Sequence, residues 1–550
     1  MPVINFDYHD LCSLIGKDVP KETLVSRIPL IGADMHDTVD SDEMSVEFFP
    51  DRPDLFSVEG LARSLRAFLG ISKGITEYDV KRTEMTVTVD RSVDDVRPYI
   101  ACAVVRGVTI TDAVLRSLME MQEKLHMTIG RKRSKVAIGI HDLDKVSPPF
   151  VYKAVDPHSV SFVPLSKTEE WDLDEILEKH EKGKDYAHLL SGSARYPVIL
   201  DSEDEVLSFP PIINGSLTTV TTDTVDLFID VTGTDLKAVK GSLNLVATAL
   251  AERGGKIFSV KMAGAPMKVS PDLRPSSMTI SAKDCRKFLG RRITAKSMAA
   301  SLEMMGMGAV CRGDDITVSI PATRLDIMHP VDIYEDVAIG YGFERFGGEH
   351  SLTQTVGELS DSTRVSEIIR DIMIGLGYTE VTTLTIGSEK DEFELTGLPV
   401  TDFVDILNPI TEDHTCLRSY LTPSLMRILV KNKHRDLPQR IFEVGDVVTD
   451  AKRQKRMCAL STHSKASFTE AKSLAESVLR EMRIGYTLRT CSYRTFIDGR
   501  GAEVIADGKQ IGYFGEMSPQ VITDFGIDHP VMMFEMDMSP FIGSSVKGVL

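Results

Sequence analysis

Four acidic side chains lie close together in residues 320–343, IPATRLDIMHPVDIYEDVAIGYGF. The acids are Asp326, Asp332, Glu335 and Asp336. Pro330 suits the first turn of a helix, where its missing N–H removes no hydrogen bond. The three later acids then occupy positions i, i+3 and i+4 and share a helix face, and we expect Asp326 to reach that face from a preceding strand. Such oxygen ligands suit Mg²⁺, which takes one or two carboxylates and keeps several waters.

The same acids have a second explanation that needs no metal. Carboxylates in the first turn of a helix stabilise it by interacting with the partial positive charge of the helix N-terminus. Short motifs also match by chance, so spacing alone does not choose between the two explanations. A magnesium site and a favourably charged helix start therefore both remain open.

A second candidate for chemistry is the stretch FPPIINGS at residues 209–216. The proline pair predicts an extended entry, and Asn-Gly predicts a turn. The residues that follow, 217–234, are rich in threonine. Their hydroxyl groups and the amide of Asn214 would line a polar pocket for a small substrate, although threonine is also simply a common strand residue. Asn214 is the residue of this stretch that we assign to a pocket.

Three charged turns each have two interpretations. The turn GRKRSK at 130–135 is the clearest basic cluster, and it is either a solvated loop or a contact for RNA phosphates. The turn HDLD at 141–144 is either structural or part of an acid–base or metal site, which would need further convergent groups. The turn PDRPD at 50–54 is either a charged binding turn or a solvated connector.

The composition is that of a multidomain globular protein. The chain has 550 residues, of which 42% are hydrophobic and 26% charged, so we expect about three to five domains. It has no apolar run long enough for a transmembrane helix, and no basic stretch followed by an apolar core that would indicate a signal peptide. The seven cysteines are scattered, which is typical of a reducing cytoplasm. The net charge of −18 argues against a surface that binds nucleic acid throughout.

The apolar periodicity divides the chain into four blocks that together predict an α+β multidomain fold. Residues 1–80 contain the alternating strand MSVEFF and a helix that begins after Ser57. Residues 81–270 are mixed α/β. Residues 271–350 form a strand, two helices and a strand pair that leads to the acidic segment, and residues 351–550 combine helices with antiparallel strands.

Common catalytic and nucleotide-binding motifs are missing from the sequence. It has no CxxC pair for zinc, no phosphate-binding GxxxxGK[ST] loop, and no GxGxxG in a strand–turn–helix setting. The two helices near residues 285–306 also suggest a helix-turn-helix DNA-binding unit. The second helix, however, carries no Lys or Arg between Ala299 and Gly306, and a recognition helix would need basic residues.

Four ordered blocks of the sequence resemble the phenylalanyl-tRNA synthetase beta-subunit family, most closely its shorter archaeal/eukaryotic type. The blocks are FFPDRPDLFSVEGLARSL, FPPIINGS with IDVTGTD, PATRLDIMHPVDIYEDVAIGYGF, and LNPITEDHTCLRSYLTPSLMRILVKN with RIFEVGDVV. The resemblance runs nearly from end to end.

The resemblance implies a role within a larger enzyme. Members form a tetramer of two alpha and two beta chains that joins phenylalanine to tRNA(Phe) using ATP, with the catalytic centre in alpha. The implied partners are therefore the alpha subunit and tRNA(Phe), with ATP and phenylalanine bound through alpha. We expect this chain to support assembly and to proofread by hydrolysing Tyr-tRNA(Phe), in the cytoplasm and without a membrane.

The resemblance also assigns domains and residues. It implies a B1-like α/β region in 1–80, a B3/B4-type editing module in 81–270 and a B5-type helix-pair domain in 271–350. It also implies a class II synthetase-like antiparallel sheet with helices in 351–550 that has lost catalysis. The family's Mg²⁺ ligands match Asp326, Asp332, Glu335 and Asp336, and the FPPIINGS stretch becomes a wall of the editing pocket. Arg440 and Glu443 match a class II strand, whereas GYFGEMSP at 512–519 lacks the arginine that would stabilise phosphate charge.

Two other functions remain as alternatives. A free-standing hydrolase would deacylate mischarged tRNA without a partner, but it would not need the synthetase-like block. A non-enzymatic nucleic-acid-binding scaffold would use the helical pair near 285–306, where the sequence lacks a basic helix.

Overall fold

The computed structural model describes residues 2–35, 41–348, 350 and 355–543. The chain divides into two units, Met1–His350 and Ser351–Leu550. Both units are mixed α/β. Within the described ranges, no helix has both the length and the apolar character that a membrane crossing requires.

The first unit begins with a small antiparallel sheet and three helices. The strands, in their order across the sheet, are Val3–Asp7, Glu43–Phe48 and Ala33–Met35. The helices are Tyr8–Ile15, Lys21–Arg27 and Val58–Phe68. The helix after Ser57 begins there because the Ser57 hydroxyl oxygen accepts a hydrogen bond from the Gly60 N–H at 3.2 Å.

A ten-stranded mixed sheet follows. The order across it is Ile213–Asn214, Val206–Phe209, Tyr196–Leu200, Phe150–Val155, Val80–Val89, Lys256–Ala263, Tyr99–Arg106, Leu227–Gly233 and Val136–Asp142, with Val269–Ser270 paired to Lys256–Ala263. The helices of this region are Asp112–Met127, Leu173–Lys179, Glu181–Tyr186 and Leu236–Glu252, and a short ribbon joins Ser161–Phe162 to Trp171–Asp172.

The central strands of this sheet are buried on both faces. Along Tyr99–Arg106, residues Ala101, Ala103 and Val105 join the apolar cluster that includes helix Leu236–Glu252. The alternate residues join a second apolar cluster. This double burial explains why the strand is a continuous apolar run rather than an alternating one. Asp230 lies within an equally buried strand, Leu227–Gly233.

The third part of the first unit joins a three-stranded sheet to helices. The strands, in sheet order, are Ser276–Ser281, Asp315–Ile320 and Gly308–Arg312, and the helices are Ala282–Leu289, Ala295–Met304 and Pro330–Tyr341. Pro330 occupies the first turn of its helix, as the sequence predicts. Asp326 does not arrive from a strand, because the strand ends at Ile320 and an irregular connection follows. That expectation was wrong.

The second unit is built on a seven-stranded sheet. Its order is Thr379–Glu380, Gln439–Thr449, Lys452–Thr462, Val531–Asp537, Lys509–Met517, Phe496–Ala506 and Thr487–Thr490. The first pair is parallel and the others are antiparallel. The helices are Asp361–Gly375, Thr422–Lys431, Phe468–Glu481 and Pro519–Phe525, and Ile386–Gly387 pairs with Cys416–Leu417.

Short helical turns complete the described parts of both units. The 3₁₀ turns are Ile28–Ile31, Pro53–Leu55, Arg91–Val93, Leu143–Lys145, Ala187–Leu189, Ser216–Thr218, Phe343–Arg345 and Ser539–Phe541. A π-helical turn spans Lys390–Leu395.

A buried carboxylate connects that π-helical turn to the core of the second unit. Glu392 Oε2 accepts hydrogen bonds from the backbone N–H groups of Ser419 and Tyr420, each at 3.0 Å. Burial raises the pKa of Glu392 to about 8, and the negative charge of Glu535 acts in the same direction. The folded chain therefore keeps a proton at Glu392 at pH values where the unfolded chain has released it.

We expect the stability of the second unit to fall as pH rises from about 5 to about 8, through Glu392. The raised pKa in the folded state makes its contribution complete below the ordinary value of 4.5, and the contribution is lost as pH passes through about 8. Glu392→Gln should flatten this part of the profile, measured by urea unfolding of the full chain between pH 5 and 8. The exposed Glu412→Gln variant is the control. Equal slopes in wild type and Glu392→Gln would rule out this assignment.

Candidate functional site

A cavity of about 580 Å³ lies beside the ten-stranded sheet. Helix Asp112–Met127 and strand Val136–Asp142 provide part of its lining, and residues 208–220 provide another wall. The FPPIINGS stretch supplies Pro210 through Gly215 to this wall. The lining is mostly apolar, with a few polar groups, as in typical small-molecule sites.

Asp230 is a buried carboxylate in the lining of this cavity. Only 1% of its surface is exposed. Its Oδ2 accepts a hydrogen bond from His141 Nε2 at 2.7 Å, and His141 Nδ1 lies 2.7 Å from the Thr218 hydroxyl oxygen. His141 and Thr218 are also buried. The three side chains therefore form a continuous hydrogen-bonded chain, and its order is Thr218, His141, Asp230.

A glycine makes room for this chain. Gly139 lies opposite Asp230 on the neighbouring strand. A Cβ atom at position 139 would lie 2.0 Å from Asp230 Oδ2 and 2.7 Å from His141 Nε2. Because both distances are far below van der Waals contact, a larger residue at 139 would displace the two side chains.

The other oxygen of Asp230 has no partner. Among the described residues, no group donates a hydrogen bond to Oδ1. A buried acceptor without a donor costs about 1–3 kcal/mol, and more if it is charged. Such groups are rare in native structures, and a bound ligand that supplies the missing donor is one explanation. Asp230 Oδ1 is therefore suited to bind a ligand hydroxyl or ammonium hydrogen.

A second polar cluster lies on the wall formed by helix Asp112–Met127. Burial lowers the pKa of His126, whose Nε2 accepts the Ile138 N–H at 2.8 Å, so the ring is neutral. The His126 ring and Arg133 lower the pKa of Glu123 to about 2. Arg133 Nη1 in turn donates to the carbonyl oxygen of Ile212 at 2.8 Å. The basic turn and the FPPIINGS stretch thus form one wall.

Asn214 lies in this wall, on the strand Ile213–Asn214, and it lines the cavity. Its Oδ1 accepts a hydrogen bond from the Ser208 hydroxyl at 3.2 Å. Sequence reasoning thus located a wall residue and singled out His141 within the HDLD turn, but it missed Asp230 and Gly139. The available signal was an acid in the otherwise apolar strand run LFIDV.

The HDLD turn divides between two roles. Asp142 accepts hydrogen bonds from the Asp144 N–H and the Thr224 hydroxyl, at 3.1 and 2.9 Å. These contacts confirm the structural interpretation for Asp142, while Asp144 is exposed. His141 is different, because it contacts the cavity residues Asp230 and Thr218.

The acidic segment near residue 330 is organised by one arginine. Arg324 Nη2 lies 2.7 Å from Asp326 Oδ2 and 2.6 Å from Asp336 Oδ2. Nearby, Arg52 and Asp54 form a buried ion pair of 2.8 Å. The interpretation of the PDRPD turn as a solvated connector is therefore wrong for Arg52 and Asp54, which are buried, whereas Asp51 is exposed.

The two remaining acids of the segment have different environments. Asp332 Oδ2 accepts the backbone N–H groups of Met328 and His329 at 2.7 and 2.8 Å, which caps the helix start. Glu335 is exposed. Partial burial raises the pKa of Glu335, and the negative charges of Asp336, Asp51 and Asp332 raise it further.

The acidic segment does not present four convergent metal ligands. Within the described ranges, no group of three or more His, Cys, Asp or Glu side chains is arranged to hold a metal ion. Arg324 engages Asp326 and Asp336, and the backbone engages Asp332. The arrangement does not fit an ion held by all four acids, and Glu335 is the carboxylate that remains available.

Three family models match successive parts of this chain. They are the B3/4 domain over residues 98–261, the tRNA synthetase B5 domain over residues 278–343, and the phenylalanyl tRNA synthetase beta chain CLM domain over residues 350–538. The cavity residues Asp230, His141 and Asn214 fall in the first match, and the whole acidic segment, residues 320–343, falls in the second.

Relatives that match over the whole chain include proteins named phenylalanine–tRNA ligase beta subunit. The protein of Methanothrix thermoacetophila is 46% identical over 98% of this chain and 100% of the relative. The Archaeoglobus fulgidus protein is 46% identical over 98% and 99%. A solved N-terminal fragment of the phenylalanyl-tRNA synthetase beta subunit from Pyrococcus horikoshii has a TM-score of 0.60 and 41% identity, and it covers 62% of this chain and 100% of the fragment. This chain therefore belongs to the phenylalanine–tRNA ligase beta-subunit family.

Proposed function

We propose that this chain is the beta subunit of a phenylalanine–tRNA ligase and hydrolyses Tyr-tRNA(Phe) in the cavity next to Asp230. The unpartnered Asp230 Oδ1 is the observation that carries the second part of this proposal. The alpha subunit performs the ligation with ATP, and the two chains form an alpha2beta2 complex. The free cysteines, all seven of them within the described ranges, suit a cytoplasmic complex, whose location cell fractionation would test.

The second unit, in this proposal, has the form of a class II synthetase domain but no catalysis. Its largely antiparallel sheet supports the likeness. Glu443, on the strand Gln439–Thr449, is buried and engaged by Arg418 at 2.9 Å and by the Thr383 hydroxyl at 2.6 Å. Arg440 is paired only distantly, 3.8 Å from Glu470. Because Glu443 is already satisfied inside the chain, it is not available to bind a nucleotide.

The division of roles predicts what each subunit does alone. The purified chain should show no phenylalanine-dependent ATP–pyrophosphate exchange, and co-expression with alpha should restore exchange in a complex with the mass of alpha2beta2. Native mass spectrometry and the exchange assay measure both. Exchange by the isolated chain would sink the assignment, and a chain that deacylates tRNA without ever binding alpha would favour a free-standing hydrolase.

The chemistry of Asp230 gives a reason to select tyrosine. Tyrosine differs from phenylalanine by one hydroxyl, and that hydroxyl is a donor for Asp230 Oδ1. Phenylalanine in the same position would leave the buried carboxylate unpaired. A site built to hydrogen-bond a substrate hydroxyl rejects the analogue that lacks it by about 10⁴–10⁵-fold. The cavity would therefore hydrolyse the mischarged tRNA and spare the correct product.

Asp230→Asn in the alpha/beta complex should lower kcat/KM for Tyr-tRNA(Phe) hydrolysis by about 10- to 100-fold. The estimate follows because a hydrogen bond to a charged group contributes about 1.5–3 kcal/mol. Asn214→Ala should also lower the rate, and an unchanged rate would remove Asn214 from the pocket. The exposed Asp144→Asn variant is the control, and aminoacylation should be unaffected in all three. Normal hydrolysis by Asp230→Asn would refute the role of Asp230.

We also propose that Mg²⁺ binds the acidic segment through Glu335 and water, rather than through all four acids that the family resemblance implies. Arg324 pairs with only two of the four carboxylates, Asp326 and Asp336, so the segment keeps excess negative charge. Mg²⁺ commonly binds through one or two carboxylates. The ion would supply charge neutralisation near the helix Pro330–Tyr341.

The magnesium proposal predicts that MgCl₂ raises the thermal unfolding midpoint of the wild-type complex relative to EDTA. Glu335→Gln should remove this increase because it removes the available carboxylate. The exposed Glu77→Gln variant should retain it. No shift in the wild type, or the same shift in Glu335→Gln, would contradict binding at this residue.

A further inference from the structure

The basic loop, defined as residues 130–135, lies beside the cavity. It has the sequence GRKRSK in a chain of net charge −18. Arg133 lines the cavity itself. Two of the four cations are used inside the chain. Arg133 is held by main-chain carbonyls and by the ring of Tyr186, 4.6 Å away, and Lys135 pairs with Asp235 at 3.2 Å.

The other two cations, Arg131 and Lys132, are exposed. In the part of the chain that the structure describes, neither side chain has an ion pair or a hydrogen bond. They directly precede Arg133 in the chain, so the Arg133 contacts keep them near the cavity wall. An arginine and a lysine without carboxylate partners give this wall a local positive charge.

The backbone of the basic loop is held in an unfavourable conformation. Arg131, Lys132 and Arg133 have φ angles of 45°, 53° and 65°, in the left-handed region that residues other than glycine seldom adopt. Gly130 permits the close approach that begins the turn, since a Cβ there would lie 2.6 Å from the His126 carbonyl oxygen. The Arg133 guanidinium donates hydrogen bonds to the carbonyl oxygens of Pro211 and Ile212 and so attaches the turn to the cavity wall. The backbone that carries Arg131 and Lys132 therefore lies next to this wall.

A third cation lies in the cavity lining itself. Lys182, on the helix Glu181–Tyr186, is half-buried and lies 5.9 Å from the Tyr186 ring. In the described residues it has no ion-paired carboxylate. Arg131 and Lys132 directly precede the lining residue Arg133, and Arg133 and Lys182 both lie against the Tyr186 ring. We call Arg131, Lys132 and Lys182 the positive patch, and the cavity beside it also contains the carboxylate of Asp230. The ligand that suits both features carries a small hydrogen-bond donor at one end and several negative charges at the other.

We propose that Arg131, Lys132 and Lys182 bind the phosphates of the 3′-terminal nucleotides of an aminoacyl-tRNA whose amino acid enters the cavity. The inference rests on the proposed editing function and names the part of the substrate that these residues hold. The phosphates that stay outside the cavity would bind along the positive patch. Each phosphate that a cation neutralises releases a counterion. The strongly negative chain then needs only this local patch to position the end of the tRNA.

The test separates the phosphates from the amino acid by using two substrates. The alpha/beta complex is assayed with Tyr-tRNA(Phe) and with 3′-O-tyrosyl-adenosine, which carries the same ester but no phosphate. The double variant Arg131→Gln/Lys132→Gln should lower kcat/KM for Tyr-tRNA(Phe) hydrolysis by about 10-fold. The slope of log kcat/KM against log salt concentration should become shallower by about 1.4, because each lost single-strand phosphate contact removes about 0.7. The rate of tyrosyl-adenosine hydrolysis and the rate of aminoacylation should each stay within about twofold of the wild-type rate.

A charge-matched control distinguishes the patch from overall charge. Lys73 and Lys296 are exposed residues of the same unit and do not line the cavity, so Lys73→Gln/Lys296→Gln should leave both hydrolysis rates unchanged. If the wild-type complex hydrolyses neither substrate, the editing function itself fails. If the loop variant keeps its kcat/KM and salt dependence on Tyr-tRNA(Phe), phosphate binding is overturned while editing stands. Equal losses on both substrates would show that the loop only supports the cavity wall, and would also overturn the inference.

Discussion

Asp230 lies in the middle of a strand that is buried along its length, and only one of its carboxylate oxygens has a partner in the described ranges. His141 holds the other oxygen, Thr218 contacts His141, and Gly139 leaves room for the pair. The orientation of the free oxygen depends on all three contacts. Burial makes an unpaired charge costly, so the same environment that positions Asp230 also makes it selective for a ligand with a donor hydrogen.

In the acidic segment near residue 330, by contrast, the chain itself supplies the partners of the buried carboxylates. Arg324 bridges Asp326 and Asp336, and the helix N-terminus uses Asp332. These acids mainly stabilise the fold, because removing one partner of a buried ion pair typically costs about 3–5 kcal/mol. Glu443 in the second unit is likewise satisfied by Arg418. Buried carboxylates that the chain itself fully satisfies and a buried carboxylate with one unpartnered oxygen therefore serve different purposes.

Much of the secondary structure was predictable because its signals are local. Ser57 and Thr294 accept hydrogen bonds from the first turns of their helices, Pro330 starts its helix, and the run YIACAVV forms a strand buried on both faces. The placement of Asp326 was not predictable, since the chain leaves the strand at Ile320 and the path after it depends on the pairing with Arg324. Likewise, the burial of Arg52 and Asp54 depends on contacts distant in sequence.

The sequence by itself determined the family, through four ordered blocks, and it identified one wall of the cavity, through FPPIINGS and Asn214. It also marked the basic loop and the acidic segment as charged. Only the tertiary structure decided which charges are free. His141, Thr218 and Asp230 are up to 89 residues apart in the chain, and Arg133 joins the basic loop to a wall 79 residues away. The sequence does not show whether a carboxylate has an arginine partner, because long-range packing decides which side chains lie next to it.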